Sequence, residues 1–352
     1  MNTYQIATVP GDGIGKEVIP ESLKVLDIVA VKCGFQLKYK NYDYSCEYFK
    51  EYGKMMPEDG LDRLRNSDGI FLGAVGYPGV PDHVSLWGLL IPIRRNFQQY
   101  VNLRPVRLLK GIESPLKNPG GIDFYIVREN NEGEYSSIGG RLNDGSPDEL
   151  VVQETIFTRK GVDRVMKYAF ELASKRRKNL TSATKSNGIM HTMPYWDERF
   201  KAMGEKFPNV STDQFHIDIL AANFVQKPHN FDVVVASNLF GDILSDLGPA
   251  VAGGMGIAPG ANINPEKEFP SMFEPVHGSA PDIAGKKIAN PIACIWTASM
   301  MLDHLGEKEG SNLIMNAIEE TISNGNVLTK DLGGNSNTEE VTNAIIEKIK
   351  KL

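Results

Sequence analysis

The sequence predicts an α/β protein built on a largely parallel sheet that is covered by helices. Strand-like and helix-like segments alternate along the chain from its first residues. The apolar run at residues 231–236, Phe-Asp-Val-Val-Val-Ala, is short and rich in β-branched residues, as in a strand buried on both faces of a parallel sheet. With 352 residues, the chain is long enough for two domains or one large α/β unit.

The composition argues against several classes of protein. Hydrophobic residues make up 41% of the chain and charged residues 23%, which is ordinary for a globular protein, and a net charge of -6 argues against a nucleic-acid binder. Three widely spaced cysteines offer no zinc spacing and favour reduced thiols. The strand-like N-terminus has no signal core, and no apolar run is long enough to span a bilayer. We therefore expect a cytoplasmic protein with no membrane partner.

The first strand-like run, at residues 4–9, leads into a glycine loop at residues 10–17 and then a helix to about Lys32. The loop does not fit the dinucleotide fingerprint G-x-G-x-x-G, because its third glycine comes one residue early and the nearest acid, Asp27, comes too soon. It does not fit the P-loop either, since Pro10 stands where the first glycine belongs. A plain turn and a ligand-contacting loop both stay open.

Residues 35–73 predict strand, helix and strand, and residues 122–127 predict a further strand. Arg94, Arg104 and Arg128 all stand near the ends of predicted elements, so their side chains could converge. Arginine grips carboxylates with two parallel hydrogen bonds. Each arginine alone is usually a surface ion pair, and only the cluster favours an anionic ligand.

The region at residues 141–158 mixes glycine, proline and charge with a β-rich stretch, and predicts a protruding hairpin suited to pairing with a second subunit. A helix at residues 161–175 follows, and then a strand that ends just before Lys185. Such a lysine is usually solvated, although beside a metal ion it could act as a base. Asp218 stands at a predicted helix start, where it could cap the helix or bind a metal.

A helix that opens at Asn238 carries Asp242 and Asp246 four residues apart, on the same face. Like charges at this spacing weaken a helix by a few tenths of a kcal/mol, and a divalent cation such as Mg²⁺ or Mn²⁺ would offset the repulsion. Helix capping by Asp242 and solvation of Asp246 is the simpler interpretation. Their position after a buried strand, where ligands bind in open α/β sheets, favours the metal.

Two loops rich in small residues follow, at residues 258–262 and 273–286. Small residues let a backbone approach a ligand closely, and Asp282 could accept both ribose hydroxyls of an adenosine. The chain has no internal repeat, no G-x-S-x-G motif and no H-E-x-x-H motif, so hydrolase signatures are missing.

Taken together, these segments closely resemble the metal-dependent β-decarboxylating dehydrogenases, the group of isocitrate, 3-isopropylmalate and tartrate/D-malate dehydrogenases, over essentially the whole chain. Residues 238–246 match the family signature, and residues 274–285 match the cofactor loop of NAD-using members. NADP-using members carry lysine and tyrosine where Asp282 and Ile283 stand, so the resemblance implies NAD. It also implies the fold of the family, two α/β domains that share a central sheet, and not a Rossmann fold.

The resemblance implies a role for each candidate residue. Asp242 and Asp246, with Asp218 of the partner subunit, would bind Mg²⁺ or Mn²⁺; a monovalent activator such as K⁺ stays open. Lys185 of the partner subunit would be the general base, and Tyr135 would help protonate the enol. Substrate contacts are implied for Arg94, Arg104, Arg128, Leu90 and Trp87, and cofactor contacts for Ile14, His277, Gly278, Ser279, Ala280, Asp282, Ile283 and Asn290.

The resemblance further implies a homodimer with shared active sites and two domains. Residues 1–100 plus 253–352 would form the large, cofactor-binding domain. Residues 101–252 would form the small domain, with the substrate and metal residues and a dimerisation arm at about residues 134–158.

Within the family, residues 80–88, 130–137 and 193–198 look most like the tartrate/D-malate branch. Isopropylmalate enzymes carry an acid where Trp87 stands, whereas Leu90 matches an apolar residue that they use. The expected reaction is NAD-dependent oxidation of a small 2-hydroxy diacid with β-decarboxylation: D-malate to pyruvate and CO2, and/or tartrate. The alternatives are a 3-isopropylmalate dehydrogenase and a non-catalytic regulatory subunit, which would have lost a base or a metal carboxylate.

Overall fold

A ten-stranded mixed sheet forms the centre of the structure, a computed structural model that describes residues 1–352. The strands of the chain are β1 Thr3–Gly11, β2 Gln36–Asn41, β3 Gly69–Ala74, β4 Val101–Arg107, β5 Asp123–Glu129, β6 Gly139–Leu142, β7 Leu150–Gln153, β8 Asn179–Thr184, β9 Ser211–His216, β10 Val233–Ala236, β11 Ala261–Ile263 and β12 Ser271–Phe273. The large sheet has the order β2-β1-β3-β12-β11-β4-β5-β10-β8-β9, and β6 and β7 form a separate antiparallel hairpin.

Strand direction divides the large sheet into two parallel groups. Strands β2, β1, β3 and β12 are mutually parallel, as are β5, β10, β8 and β9. Between the groups, β11 is antiparallel to both its neighbours, and β4 is antiparallel to β5. Two α/β units therefore share one sheet, which confirms the predicted fold class.

Twelve α-helices cover the sheet: α1 Gly15–Cys33, α2 Cys46–Tyr52, α3 Gly60–Arg65, α4 Asp82–Ser85, α5 Ile91–Asn96, α6 Arg159–Ser174, α7 Thr192–Gly204, α8 Ile217–Gln226, α9 Asn238–Val251, α10 Ile292–Leu305, α11 Lys308–Asn324 and α12 Thr338–Lys351. A π-helical turn, Leu86–Leu90, joins α4 to α5. Such turns occur often at functional sites. None of the helices is both long enough and apolar enough to cross a membrane.

The strand predicted at residues 231–236 is β10, which lies between β5 and β8 in the large sheet and contributes to the core. Val233, Val234 and Val235 are completely buried, because helices cover both faces of β10. Most of the buried apolar side chains form one continuous core, and a smaller second core lies around β1, β3 and α5. The segment at residues 35–73 contains two short helices, α2 and α3, where one was predicted.

Candidate active site

A cavity of about 140 Å³ opens where β4 and β5 meet the N-terminal half of α9. It brings together the three arginines that the sequence singled out, with Tyr135 and Asp242. Its lining residues are Leu86, Ile91, Arg94, Arg95, Arg104, Arg128, Asn130, Tyr135, Asn238 and Asp242.

Arg94 enters the cavity from α5 and is held by a buried carboxylate. Its Nη2 donates to Glu274 Oε1 at 2.7 Å, and both side chains are about nine-tenths buried. Burial acts to raise the pKa of Glu274, but Arg94 and Arg104 more than offset it and hold this pKa below its usual range. The Nε of Arg94 is buried and has no hydrogen-bond partner. Arg94 is thus fixed through its Nη2, while its Nε remains available as a hydrogen-bond donor.

Arg104 projects from β4 beside it. Its Nε donates to Asn102 Oδ1 at 2.8 Å, while its Nη1 is buried without a partner. Burial lowers the pKa of Arg104 to about 10, and the neighbouring positive charges act in the same direction. The group still carries its charge at neutral pH, so an unpaired cationic donor faces a site where an anion would satisfy it.

A network of asparagine side chains, which the sequence did not predict, holds Arg104 directly and Arg94 by way of Glu274 through hydrogen bonds. Asn262 donates to Glu274 Oε1 at 2.8 Å and accepts from Asn102 and Asn130 at 2.9 Å each. Asn102 and Arg104 are two residues apart on one strand, so their side chains lie on the same face. This spacing was the only local signal in the sequence for the network. The network holds the arginines in a fixed orientation.

The third arginine, Arg128, links β5 to α9. Its Nε and Nη2 donate to Asn238 Oδ1 at 3.1 and 2.8 Å, and its Nη1 pairs with Asp242. The Tyr135 hydroxyl donates to the other oxygen of Asp242 at 2.7 Å. Burial acts to raise the pKa of Asp242, but Arg128 and Tyr135 hold it below its usual range. Asp242 is therefore an ionised oxygen donor at the cavity wall.

Asp246 lies one turn beyond Asp242 on the same face of α9, as predicted. Burial and the charge of Asp242 raise the pKa of Asp246, so the two carboxylates repel each other. Within one chain, no three His, Cys, Asp or Glu side chains come together to hold a metal ion. The two aspartates still fit a hard divalent cation, provided that another subunit or the substrate supplies further oxygens.

Lys185 and Asp218 form an ion pair of 2.8 Å with each other and do not line this cavity. Asp218 lies at the start of α8, as predicted, and the hydrogen bond from Lys185 lowers the pKa of its carboxyl. The 31% and 60% exposures of these two side chains leave them accessible on the surface of the single chain.

The glycine loop and the predicted cofactor loop contact each other. The Ile14 amide donates to the Ser279 carbonyl at 2.9 Å, and the fully buried Asp12 accepts from the amides of Cys46 and Gly76 at 3.1 Å. The loop at residues 10–17 is therefore part of a larger assembly of loops and not an isolated turn.

The cofactor loop presents a histidine with a free ring nitrogen. Burial lowers the pKa of His277, which keeps the ring neutral. Its Nδ1 lies 3.1 Å from the Gly278 carbonyl, to which it can bond only as a donor, and its buried Nε2 has no partner. Asn290 donates to Asp331 at 2.9 Å. An unsatisfied acceptor on a loop of small residues fits a site for a polar cofactor.

Two predicted substrate residues lie elsewhere. Trp87 is 36% exposed and packs under the guanidinium of Arg95, whose carbon lies 5.1 Å from the ring centre, while Leu90 packs against the smaller core. Leu86 and Ile91, from the same helical stretch, line the cavity instead.

The cationic cavity and its tyrosine–aspartate pair form a site for a small anionic ligand, as in an enzyme that acts on an organic acid. The chain belongs to the isocitrate/isopropylmalate dehydrogenase family, whose model matches residues 5–345. The family resemblance predicted from the sequence is confirmed.

Relatives and solved structures agree with this assignment. The chain is 59% identical to D-malate dehydrogenase [decarboxylating] of Escherichia coli (strain K12), over 99% of both chains. It is 55% identical to tartrate dehydrogenase/decarboxylase of Pseudomonas putida, over 100% of this chain and 99% of that protein. The crystal structure of isocitrate dehydrogenase from Methylococcus capsulatus matches with a TM-score of 0.89 and 32% identity, over 99% of both chains.

Proposed function

We propose that this protein catalyses the NAD-dependent, divalent-metal-dependent oxidation of a small 2-hydroxy dicarboxylic acid with β-decarboxylation. D-malate, converted with NAD⁺ to pyruvate, CO2 and NADH, is the leading substrate, and tartrate is the second. The activities of the two relatives at 59% and 55% identity support this choice. The observation that carries it is the convergence of three buried arginines, two of them with unpartnered nitrogens, in a cavity of about 140 Å³.

The cavity suits a four-carbon diacid. The free Nη1 of Arg104 and Nε of Arg94 are donors for carboxylate oxygens, and Arg128 lines the same cavity. Bidentate contacts with fixed guanidinium groups orient the ligand, so that the carbon bearing the hydroxyl is held in one position. Asp242 and Asp246 would hold the divalent cation, Mg²⁺ or Mn²⁺.

Tyr135 is the proton donor for the product. Burial and the hydrogen bond to Asp242 raise the pKa of Tyr135 to about 12, so its hydroxyl stays protonated at neutral pH. It can deliver that proton to the carbon exposed when CO2 leaves. When bound, NAD supplies the hydride acceptor and the cation supplies Lewis-acid stabilisation of negative charge.

The base is Lys185 of the partner subunit, which would join the site with Asp218 of the partner subunit. Support comes from the exposed position of their ion pair and from the hairpin of β6 and β7. This hairpin pairs only with itself and exposes apolar side chains that a second subunit would cover, namely Ile138, Leu142, Leu150, Val151 and Val152. We therefore propose a homodimer with shared active sites.

The two domains follow the two groups of strands. Residues 1–100 plus 253–352 contribute β1, β2, β3, β11 and β12, and residues 101–252 contribute the other strands of the large sheet. The antiparallel pair β11 and β4 marks the boundary between the domains. NAD would be held by the first domain, at His277 and Asp282 of the loop at residues 273–286 and at Asn290, which follows this loop.

A 3-isopropylmalate dehydrogenase is the second candidate, because Leu86 and Ile91 make one wall of the cavity apolar. The deciding experiment compares initial rates of NADH formation with Mn²⁺ and K⁺ on D-malate, L-tartrate, 3-isopropylmalate and isocitrate. We expect kcat/KM for D-malate or tartrate to exceed the others at least tenfold, about 1.4 kcal/mol. A preference for 3-isopropylmalate would overturn the substrate assignment, and NAD binding without turnover of any acid would indicate a regulatory subunit.

A further inference from the structure

The N-terminus of α9 is capped in an unusual way. Ser237 is the N-cap residue, yet its side chain accepts no hydrogen bond from the first turn of the helix. Its hydroxyl instead donates to Glu134 Oε1 at 2.8 Å, and the second oxygen of Glu134 accepts from the Leu239 amide at 2.9 Å. Glu134 thus takes the place of the serine as the acceptor that the helix end requires.

Glu134 belongs to the loop at residues 130–135, which carries Tyr135. Three contacts join this loop to α9: the Glu134 carboxylate to the helix end, Asn238 Nδ2 to the Glu132 carbonyl at 3.0 Å, and the Tyr135 hydroxyl to Asp242. Only the Glu134 carboxylate binds two groups of the helix at once, and it adds a negative charge where the helix dipole favours one. Its neighbour in sequence is the proton donor.

We infer that Glu134 is a positioning residue, which fixes the Tyr135 loop against the first turn of α9 and so sets the geometry between the Tyr135 hydroxyl and Asp242. This inference rests on the proposed function, since it assigns the purpose of the bridge to the proton donor of that reaction. Two arginines of the cavity do not depend on Glu134, because Arg94 and Arg104 are held by Glu274 and Asn102.

Two substitutions at Glu134 separate its geometry from its charge. Glu134→Ala removes both hydrogen bonds. Glu134→Gln keeps both, because its carbonyl oxygen can accept from the Leu239 amide while its amide nitrogen donates to Ser237, whose hydroxyl can accept. A matched control is Glu132→Ala, which removes a carboxylate of the same loop that bonds to the amide and hydroxyl of Thr158, at α6 and not at α9, at 2.8 and 2.6 Å.

The first measurement is steady-state kinetics with D-malate, NAD⁺ and Mn²⁺. In Glu134→Ala we expect kcat to fall about 10- to 100-fold, because a misplacement of about 1 Å can cost a hundredfold. KM for D-malate should rise by a smaller factor than kcat falls, since Arg94 and Arg104 keep their contacts with Glu274 and Asn102. Glu134→Gln should recover kcat to within about threefold of the wild type, and Glu132→Ala should retain it.

The second measurement is amide hydrogen exchange at residues 238–241, which needs no turnover. Exchange there should accelerate in Glu134→Ala and stay near the wild-type rate in Glu134→Gln and Glu132→Ala. If the wild type turns over none of the acids, the proposed function fails, and exchange alone then decides whether the bridge exists. Unchanged exchange in Glu134→Ala overturns the inference, as does a kcat within threefold of an active wild type. The inference is also overturned if Glu132→Ala loses as much kcat as Glu134→Ala. The same holds if Glu134→Gln loses as much kcat as Glu134→Ala.

Discussion

Arg104 illustrates at the residue scale how the cavity is made ready for an anion. A buried charged donor without a partner costs about 1–3 kcal/mol, and the chain tolerates this cost at Nη1 of Arg104. The neighbouring Asn102 holds Nε, so the guanidinium cannot turn away to find another partner. An incoming carboxylate recovers the lost hydrogen bond, and this gain becomes binding energy for the substrate.

Replacing Arg104 with lysine should therefore weaken substrate binding. Lysine keeps the charge, but its single nitrogen cannot bond to Asn102 and to a carboxylate with the same fixed geometry. We expect kcat/KM for the diacid to fall about 10- to 100-fold, mainly through KM.

The matched control is Arg107→Lys, on the same strand. Arg107 is 42% exposed and pairs with Glu319 at the surface, so its replacement should leave KM unchanged. Equal KM values for wild type and Arg104→Lys would show that Arg104 does not bind the substrate.

Glu129 makes the stability of the protein depend on pH. Burial raises the pKa of Glu129 from 4.5 to about 7, although the amides of Asn131 and Glu132 donate to its carboxylate. The folded protein thus keeps a proton that the unfolded chain releases near pH 4.5. The stability linked to this proton is complete below pH 4.5 and is lost as pH rises to about 7, with an upper value of about 3 kcal/mol.

We expect the free energy of unfolding of the wild type to fall more steeply between about pH 4.5 and pH 7, the interval between the unfolded and folded pKa values of Glu129, than that of Glu129→Gln. Urea unfolding at several pH values measures both slopes. Parallel curves would show that Glu129 is ionised throughout this range.

At the scale of elements, α9 packs so closely on β5 that one of its positions has no room for a side chain. A Cβ at Gly241 would lie 2.6 Å from the Cβ and Cγ of Arg128. Glycine at this position lets the helix approach the strand until Arg128 reaches both Asn238 and Asp242.

Gly241→Ala should push Arg128 and α9 apart. We expect a loss of about 1–3 kcal/mol in stability from overpacking and a fall in kcat/KM of more than about tenfold, because Asp242 moves with the helix. Thermal unfolding and kinetics measure the two effects. Gly121→Ala is the control, since a Cβ there meets nothing within 4 Å. An active, stable Gly241→Ala protein would contradict this packing argument.

The sequence predicted the elements whose pattern is local. The apolar run before α9, the i, i+4 pair of Asp242 and Asp246, and the hairpin of β6 and β7 all depend on neighbouring residues, and all three elements formed as expected. The asparagine network could not be predicted in this way. Asn102 and Asn262 are 160 residues apart, and only the antiparallel pairing of β4 and β11 brings them together.

In the candidate site, too, features with a local sequence signal were predicted and long-range contacts were not. Arg94, Arg104 and Arg128 were found because each stands near an element end, and the family resemblance grouped them. The ion pair of Arg94 with Glu274 spans 180 residues and has no local signal. Leu86 and Ile91 line the cavity whereas Leu90 and Trp87 from the same helical stretch do not, and the sequence carried no local signal for this difference.

At the scale of the whole molecule, the proposed dimer depends on the exposed hairpin of β6 and β7. Val151 is 60% exposed on β7, in a patch of apolar side chains that the single chain leaves uncovered. Val151→Asp should raise the dissociation constant of the dimer at least about tenfold, because an unpaired carboxylate would be buried in the interface.

Sedimentation velocity over a range of concentrations measures this change, and activity should fall in parallel on dilution if Lys185 of the partner subunit serves the site. Val31→Asp is the control, since Val31 is 83% exposed on α1, away from the hairpin. A fully active monomer of Val151→Asp would contradict the shared active site.

The most direct test of the proposed reaction follows the carbon atoms. D-malate labelled with ¹³C at its C4 carboxylate is incubated with the protein, NAD⁺ and Mn²⁺, and NADH, CO2 and pyruvate are measured together. Oxidation followed by β-decarboxylation predicts equal amounts of all three products, with the label in CO2 and none in pyruvate. NADH formation with labelled oxaloacetate and no CO2 would contradict it, because the protein would then oxidise the substrate without decarboxylating it.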